Sequence, residues 1–397
     1  MHAPATTGGF PQPASMQNLA TPAEWLVLLQ CATTRCNLEF SKLVQPPFNW
    51  PVLLQRAEEH RIVPLLALRA KNLDHELVPL DVSDKLGELQ RAQTLFTLQL
   101  TAELFRVLER FASAGIKILV TKGPALAVRC YGDPGMRQYR DLDLVVRQAD
   151  IRRATQIMIE LGYEPRIPVT AIDARKTAGE YSFAQSANGL LVEFHTEDTF
   201  RYHPRRLDVN KIFQRSASIL IDGRKIPVLS LEDELVLICV HGTKHFWERL
   251  LWIADVAALI SRQPVDWEEV LVRAGEVKAE RILHLGLRLA LDLLRANLPP
   301  QIEMRVRADL TAANLAAQIE SRLICSQPRG MGILQRAAFR VRMRGNLLPG
   351  LAYLLRLTLS PTEEDWTSPK EGDRPRVIDA ISRPLRLAKK HTRNSSK

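Results

Sequence analysis

The segment RQYRDLDLVV, residues 137–146, sets two aspartates within a run of apolar residues. Side chains alternate between the two faces of a strand, so Asp141 and Asp143 share one face while Leu142 and Leu144 share the other. Two carboxylates on one face repel each other unless a cation lies between them. Such oxygen ligands suit Mg²⁺, which needs only one or two carboxylates together with nucleotide phosphates. The segment predicts a strand with a candidate metal site, and two solvated acids at a strand entrance are the alternative.

A Lys-Gly turn lies upstream of these aspartates. Residues 116–121 (IKILVT) are apolar and β-branched, which predicts a buried strand. Lys122-Gly123-Pro124 follows as a turn, and residues 125–131 predict a short helix. Backbone N–H groups at a helix start can face phosphate, and the Lys122 ammonium adds a positive charge. The turn is therefore a candidate phosphate site, with an ordinary surface lysine as the alternative.

Two arginines flank the acid pair, and a third acid lies downstream. Arg137 and Arg140 can bind phosphate oxygens or pair with the aspartates themselves. In LVEFH, residues 191–195, Glu193 and His195 share one face of a predicted strand. A third carboxylate on an adjacent strand would complete a two-metal site or accept a proton from an acceptor hydroxyl.

In combination these motifs resemble the uncharacterised nucleotidyltransferase family, which belongs to the DNA polymerase β-like nucleotidyltransferase superfamily. The resemblance covers about residues 22–390. In the centre it is carried by Lys122-Gly123, Tyr131, Pro134, Arg137, Asp141-x-Asp143, Gly162-Tyr163 and Glu193-x-His195. On either side it is carried by Trp50, Ala57, His60, Arg61, Val63, Pro64, His241, His245, Trp247, Arg249, Leu250, Trp252, Asp255, Pro361, Asp365 and Arg383-Pro384-Leu385-Arg386.

The resemblance implies a metal-dependent enzyme that transfers a nucleoside monophosphate from an NTP to an acceptor. The acceptor is a small molecule, a protein or a nucleic acid. The implied catalytic and metal-binding residues are Asp141, Asp143 and Glu193, with Mg²⁺ or Mn²⁺ as the cofactor. The implied nucleotide-binding residues are Lys122, Gly123, Arg137 and Arg140, and the candidate substrate-facing residues are His195, His241 and His245. Where the wider superfamily has a Gly-Ser pair at the start of the helix, this chain has Lys122-Gly123-Pro124. The serine that touches phosphate in that superfamily is therefore missing.

The predicted fold class is α+β, with a small nucleotidyltransferase-like mixed sheet between two helical regions. Residues 1–21 form a leader rich in turn-forming residues, and residues 22–114 an N-terminal helical region. The α/β core spans residues 115–228, with further strands expected at 181–185, 190–195 and 219–228. A C-terminal helical domain spans residues 229–360, in which Pro299-Pro300 is expected to end one set of helices. A basic C-terminal segment covers residues 361–397.

Charge and composition bear on three questions: whether the chain binds nucleic acid, whether it spans a membrane and where it is located. The chain has 397 residues and a net charge of +10, and residues 328–397 carry 15 Lys and Arg against six acids. This basic face supports a second hypothesis, a nucleotide- or nucleic-acid-binding module without turnover. Charged residues interrupt the longest apolar stretches, so no membrane span is expected. Scattered cysteines and the lack of an N-terminal secretion signal predict a cytoplasmic protein.

A second constellation joins His241, His245 and Asp255. The spacing of four puts both histidines on one helix face, as metal ligands require. This gives a third hypothesis, a metal hydrolase. Hydrogen-bonded core histidines on an apolar helix are the competing interpretation.

Overall fold

The computed structural model describes residues 22–33, 40–45, 47–71, 73, 77–173, 179–196, 208–325, 331–344 and 347–359. The predicted leader (1–21) and the basic segment (361–397) lie outside the described residues. The C-terminal part of the sequence resemblance, from Pro361 to Arg386, lies there as well.

A seven-stranded mixed sheet forms the centre of the fold, in the order β3-β4-β5-β2-β1-β7-β6. The strands are β1 (Ile118–Thr121), β2 (Asp141–Val146), β3 (Glu164–Pro165), β4 (Glu180–Ala184), β5 (Leu191–His195), β6 (Ala217–Ile221) and β7 (Arg224–Val228). Strand β2 is antiparallel to β1 and parallel to β5. The predicted α+β class with a mixed sheet is thus confirmed.

The two faces of β2 differ in chemistry, as the alternation predicts. Leu142, Leu144 and Val146 pack into the main apolar core of the sheet. On the other face, Val145 packs with Leu119 in a separate small cluster. The Asp141 end of that second face is polar, and it opens where β1 ends and β2 begins.

The helices before the sheet pack into two separate apolar cores. They are α1 (Ala23–Ala32), α2 (Phe40–Leu43), α3 (Trp50–Glu59), α4 (Val63–Ala70) and α5 (Leu80–Ser113). Buried residues of α1, α3 and α4 share one apolar core with the helices that follow the sheet. The second half of α5 instead packs on the sheet through Leu100, Leu104, Val107 and Phe111. The N-terminal helices therefore reach the C-terminal ones in space.

Four short helices lie within the sheet region: α6 (Gly123–Tyr131), α7 (Ile151–Glu160), α8 (Val169–Asp173) and α9 (Val209–Gln214). The helices after the sheet are α10 (Leu231–Lys244), α11 (Leu250–Arg262), α12 (Trp267–Glu276), α13 (Glu280–Leu294), α14 (Pro300–Ala308), α15 (Leu310–Ile324), α16 (Ile333–Arg342) and α17 (Leu347–Leu359). None of the helices in the described ranges has both the length and the apolarity to cross a bilayer.

Two sequence predictions about elements were wrong. Residues 219–228 form the hairpin β6–β7 instead of one strand, because Asp222 and Gly223 both take positive φ values, 48° and 76°, as a tight hairpin turn requires. Pro300 begins α14 instead of ending a helical set. Proline is well tolerated at a first helical position, where its missing N–H would have no partner within the helix.

Candidate functional site

The register between β2 and β5 brings the predicted acids together. These parallel strands pair Asp143 with Glu193 and Val145 with His195, which puts their side chains on the same polar face. Asp143 and His195 are buried, and Glu193 is partly exposed. One donor atom from each of Asp143, Glu193 and His195 lies within 4.8 Å of the other two. Asp141 shares the face but is not a member of this cluster.

Lys122 lies directly on this cluster. Its Nζ is 2.6 Å from Oδ1 of Asp143, and Nε2 of His195 is 2.7 Å from the same oxygen. The Lys122 backbone has φ 54° and ψ −143°, a region that only glycine adopts readily. Gly123 follows with φ 45° and begins α6. The polar end of the sheet is therefore bordered by a strained turn whose side chain pairs with Asp143.

A buried acid on α10 supports that turn. The carboxylate of Glu234 is fully buried, and its Oε1 accepts the backbone N–H of Lys122 at 3.4 Å. Its second oxygen pairs with Arg129 of α6, and Arg129 also donates to the carbonyl of Leu229 at 2.8 Å. Strained backbone persists only where its surroundings hold it in place, and here α6 and α10 supply that restraint together.

The three carboxyls of this face have very different acidities. Burial raises the pKa of Asp143, but the charge of Lys122 and the hydrogen bond with His195 outweigh it, so the pKa lies well below the usual range. Burial, then the charge of Asp143, raises the pKa of Glu193 to about 7. The same two causes raise the pKa of Asp141. Asp143 is thus a permanent anion, whereas Glu193 exchanges a proton near neutral pH.

The polar face continues through β4 to α10. Glu180 pairs in register with His195, and its Oε1 lies 3.9 Å from Nδ1 of His195. The same oxygen accepts the ammonium of Lys244 at 3.0 Å. Thr121 also faces this side, opposite Asp143 in the β1–β2 register, and its hydroxyl is buried. A row of charged and polar side chains therefore crosses the face, from Lys122 through Asp143, His195 and Glu180 to Lys244.

The rings of His241, on α10, and His245, the residue that follows α10, lie together. Their ring centroids are 4.7 Å apart, and both rings contact Trp252 of α11, at 5.5 Å from His241 and 5.2 Å from His245. Burial and the Lys122 charge lower the pKa of His241 well below its usual value. Burial and the Lys244 charge lower the pKa of His245 to about 3. Both rings are thus neutral at physiological pH.

Asp255 and Arg137 form a buried ion pair. Nε of Arg137 donates to both carboxylate oxygens of Asp255, at 3.1 and 3.0 Å. The hydroxyl of Tyr131 donates to the same carboxylate at 3.0 Å, and Asp255 is only 1% exposed. In the described part of the chain, Asp255 is not grouped with His241 and His245 as a metal ligand set, which removes the geometric basis of the hydrolase hypothesis. Arg137 is not brought to the acid cluster either, whereas Arg140 is exposed immediately before β2.

The donor atoms of the cluster fit a divalent cation. Asp143 and Glu193 offer hard carboxylate oxygens, which suit Mg²⁺, and the imidazole of His195 adds a nitrogen that suits Mn²⁺ and later transition metals. Lys122 now lies beside Asp143, so a bound cation would share this carboxylate with the lysine or replace it.

Three residues of this face, Glu180, Lys244 and Glu234, are not predicted by the sequence motifs. Glu180 directly precedes the predicted strand at 181–185, and the alternation that pairs Glu193 with His195 would pair Glu180 with Ser182 if that strand began one residue earlier, as it does in the structure. No sequence motif includes Glu180, so this alternation alone does not mark it as a site residue. The positions of Lys244 and Glu234 depend on how α10 packs against the sheet, which no local pattern encodes.

The chain was compared with known families and proteins. The sequence model of the family described as "Uncharacterised nucleotidyltransferase" matches residues 46–295. This span begins just before α3, ends after α13, and includes every site residue discussed above. The match confirms the resemblance carried by the Lys122, Asp141-x-Asp143 and Glu193-x-His195 motifs. It is shorter than the predicted 22–390 and leaves both ends of that range unmatched.

Structural comparison adds little to this. A nucleotidyltransferase-like antigenic protein from Paracoccidioides brasiliensis is 16% identical, with 52% of this chain and 93% of that chain covered, at a TM-score of 0.31. A TM-score this low does not establish a common fold. No curated protein matches this chain.

Proposed function

This chain belongs to the uncharacterised nucleotidyltransferase family, and on that basis we propose that it is a metal-dependent nucleotidyltransferase. It moves a nucleoside monophosphate from an NTP to an acceptor that is not yet identified. An acceptor oxygen or nitrogen attacks the α-phosphorus, the bond from the α-phosphorus to the bridging oxygen breaks, and pyrophosphate leaves. The observation that carries the proposal is the Asp143–Glu193–His195 cluster, whose donor atoms lie within 4.8 Å of one another at the polar end of the sheet.

The acids are the proposed metal ligands. Asp143 and Glu193 belong both to the sequence-based triad and to the observed cluster, where His195 supplies the third donor atom. Asp141, two residues before Asp143 on the same face, is the remaining proposed carboxylate. When bound, Mg²⁺ or Mn²⁺ would neutralise phosphate charge as it develops.

The other roles follow from position and acidity. Lys122 and the backbone of Gly123 are proposed to contact the donor phosphates, together with the exposed Arg140. Arg137 is proposed to hold the loop before β2 through Asp255 instead of touching phosphate. Because the pKa of Glu193 is about 7, it is also the described carboxyl best suited to accept a proton from an attacking hydroxyl at neutral pH.

Calorimetric titration with ATP, CTP, GTP and UTP in the presence of Mg²⁺ tests the proposal. We expect the wild type to bind at least one NTP, and Asp143→Asn and Glu193→Gln to bind it at least about tenfold more weakly. Asp222→Asn is the matched control, because the exposed Asp222 lies on the β6–β7 turn and asparagine tolerates its positive φ. Thermal unfolding verifies that each variant is folded.

Two outcomes of this titration would contradict the proposal. Folded wild type that binds none of the four NTPs, or variants that bind as tightly as the wild type, would exclude an acid-centred donor site. Salt-sensitive binding of nucleic acid without NTP binding would then favour the non-catalytic module. For a protein that does bind, transfer of label from the α-phosphate, and not from the γ-phosphate, identifies the acceptor.

A further inference from the structure

Three arginines from distant parts of the sequence meet beside Asp141. Arg61 lies in the turn between α3 and α4, Arg140 immediately precedes β2, and Arg249 immediately precedes α11. The carbonyl of His60 accepts the N–H of Leu251 at 3.2 Å. This contact brings the turn that carries Arg61 to the start of α11.

The side chain of His60 reinforces the same contact. Its Nδ1 accepts the backbone N–H of Leu250 at 3.3 Å. Burial lowers the pKa of His60 to about 4, so the ring is neutral and Nδ1 is free to accept. Arg61 and Arg249 therefore directly flank the residues that join the N-terminal helices to the C-terminal ones, His60 and Leu250.

None of the three guanidinium groups forms an ion pair with a carboxylate within the ranges that the structure describes. Burial, then the like charges of Arg249 and Arg140, lowers the pKa of Arg61 to about 10, and Asp141 opposes this shift. Burial lowers the pKa of Arg249 as well; the charge of Glu248 opposes this shift, and Arg140 adds to it. The more deeply buried Arg137, in contrast, is neutralised by Asp255. Mutual repulsion among cations costs free energy unless an anion joins them.

The cluster is both held in place and open to solvent. The guanidinium of Arg249 lies 5.3 Å from the ring centre of Trp252, and Trp252 packs against His241 and His245. Arg140 is exposed, and Arg61 is only partly buried. A guanidinium fixed against an aromatic ring loses less conformational freedom when it binds a ligand.

We propose that Arg61 and Arg249, together with Arg140, form a phosphate-binding site that extends the one proposed at Lys122 and Gly123, for a phosphate group of a substrate. Arginine forks match phosphate oxygens geometrically and form the stronger charge-assisted hydrogen bonds. A phosphate monoester or a pyrophosphate carries two or more negative charges, which suits three convergent cations better than a single carboxylate does. Two of the three arginines lie in the flanking helical regions and not in the sheet region, so the site adds recognition to the nucleotidyltransferase core.

The phosphate has two chemical sources, the triphosphate tail of the donor or a phosphate group on the acceptor. Only the choice between these sources rests on the proposed function, because anion binding by the arginines is measurable without metal or turnover. The test therefore uses inorganic pyrophosphate as the probe, with ATP in a second arm.

The experiment is titration of pyrophosphate, without Mg²⁺, into full-length wild type, Arg61→Gln and Arg249→Gln. We expect each substitution to weaken pyrophosphate binding about tenfold, since one charge-assisted contact is lost. Arg262→Gln is the matched control: it makes the same change at the other end of α11, about 20 Å away along the helix axis, and Arg262 is exposed. Asp143→Asn keeps the arginines, so it should still bind pyrophosphate even where NTP binding with Mg²⁺ is lost.

The ATP arm separates the sources. Equal losses of ATP and pyrophosphate affinity in Arg61→Gln and Arg249→Gln assign the site to the donor tail. Loss of pyrophosphate affinity with ATP affinity within about threefold of the wild type assigns it to an acceptor phosphate. Wild type that binds no pyrophosphate, or folded arginine variants that bind it as tightly as the Arg262→Gln control, overturns the proposal. Failure of the proposed function appears instead as NTP binding that Asp143→Asn does not change.

Discussion

The ammonium of Lys122 lies 2.6 Å from Oδ1 of Asp143, so a lysine neutralises the carboxylate that we propose as a metal ligand. Asp143 is 3% exposed, and a charge this deeply buried is costly without a partner. The lysine therefore stabilises the metal-free protein. A cation that binds Asp143 competes with it for the same oxygens.

This pairing predicts a metal-dependent stability defect in Lys122→Met. Removing the ammonium leaves the hydrogen bond with His195 as the remaining close contact of the buried Asp143 carboxylate, so the free energy of unfolding should fall by about 3 kcal/mol. Added Mn²⁺ should restore more stability to the variant than to the wild type, because it no longer competes with the lysine. Urea unfolding with and without Mn²⁺ measures both effects. Lys225→Met on the exposed side of β7 is the control, and equal Mn²⁺ effects in the wild type and Lys122→Met would contradict the competition.

A second prediction concerns the pH dependence of metal binding. The folded-state pKa of Glu193 is raised to about 7, so below that pH a cation must displace a proton from this carboxyl. Mn²⁺ affinity should therefore rise with pH, by up to about tenfold per unit below pH 7, and level off above pH 8. Calorimetry in buffers of different ionisation enthalpy measures the released proton directly.

Glu193→Gln supplies the decisive comparison for that pH dependence. The variant should bind Mn²⁺ more weakly above pH 7 and show a shallower pH slope, because the amide does not titrate. Glu109→Gln should behave as the wild type, since Glu109 is an exposed residue of α5, which covers the opposite face of the sheet. An unchanged slope in Glu193→Gln would assign the released proton to another group.

The sequence predicted the strand-borne part of the site well, and the reason is local. Asp141-x-Asp143 and Glu193-x-His195 each lie on one strand, where alternation alone sets which side chains share a face. The two strands are short and adjacent, and their register pairs Asp143 with Glu193. The Asp222-Gly223 turn was equally local, yet the strand prediction for residues 219–228 overlooked it.

The helix-borne part could not be predicted in the same way. Arg61 and Arg249 are brought together by hydrogen bonds to His60, whose side chain accepts the N–H of Leu250, 190 positions further along the chain, and whose carbonyl accepts the N–H of Leu251. The pairing of Arg137 with Asp255 likewise depends on how α11 packs against α6. Side-chain chemistry showed that Arg137 can bind an anion, but only the tertiary structure reveals that a buried carboxylate already fills that role.

A third prediction tests the support for the Lys122 turn. In Glu234→Gln the amide oxygen can still accept the Lys122 N–H, but Arg129 loses its buried counter-charge, so the free energy of unfolding should fall by about 3 kcal/mol. The double variant Glu234→Gln/Arg129→Met removes both charges. It should be more stable than the sum of the two single losses predicts. A double-mutant cycle by urea unfolding measures the coupling, and strictly additive losses would mean that the buried pair is energetically independent.

The last prediction concerns His60, which holds the turn of Arg61 against α11. Burial lowers its folded-state pKa to about 4 from an ordinary value of 6.5, so the folded protein favours the neutral ring. Its contribution to stability is complete above pH 6.5 and is lost as the pH falls towards 4, by about 3 kcal/mol in total. His60→Asn cannot take up that proton, so it should be less stable than the wild type at pH 7 but lose less stability on acidification. Urea unfolding at half-unit steps from pH 7 to pH 4 isolates this difference from the shared titration of the carboxylates. Parallel pH profiles for the wild type and His60→Asn would show that the ring has the same pKa in the folded and unfolded protein, which would contradict the lowered pKa of the buried ring.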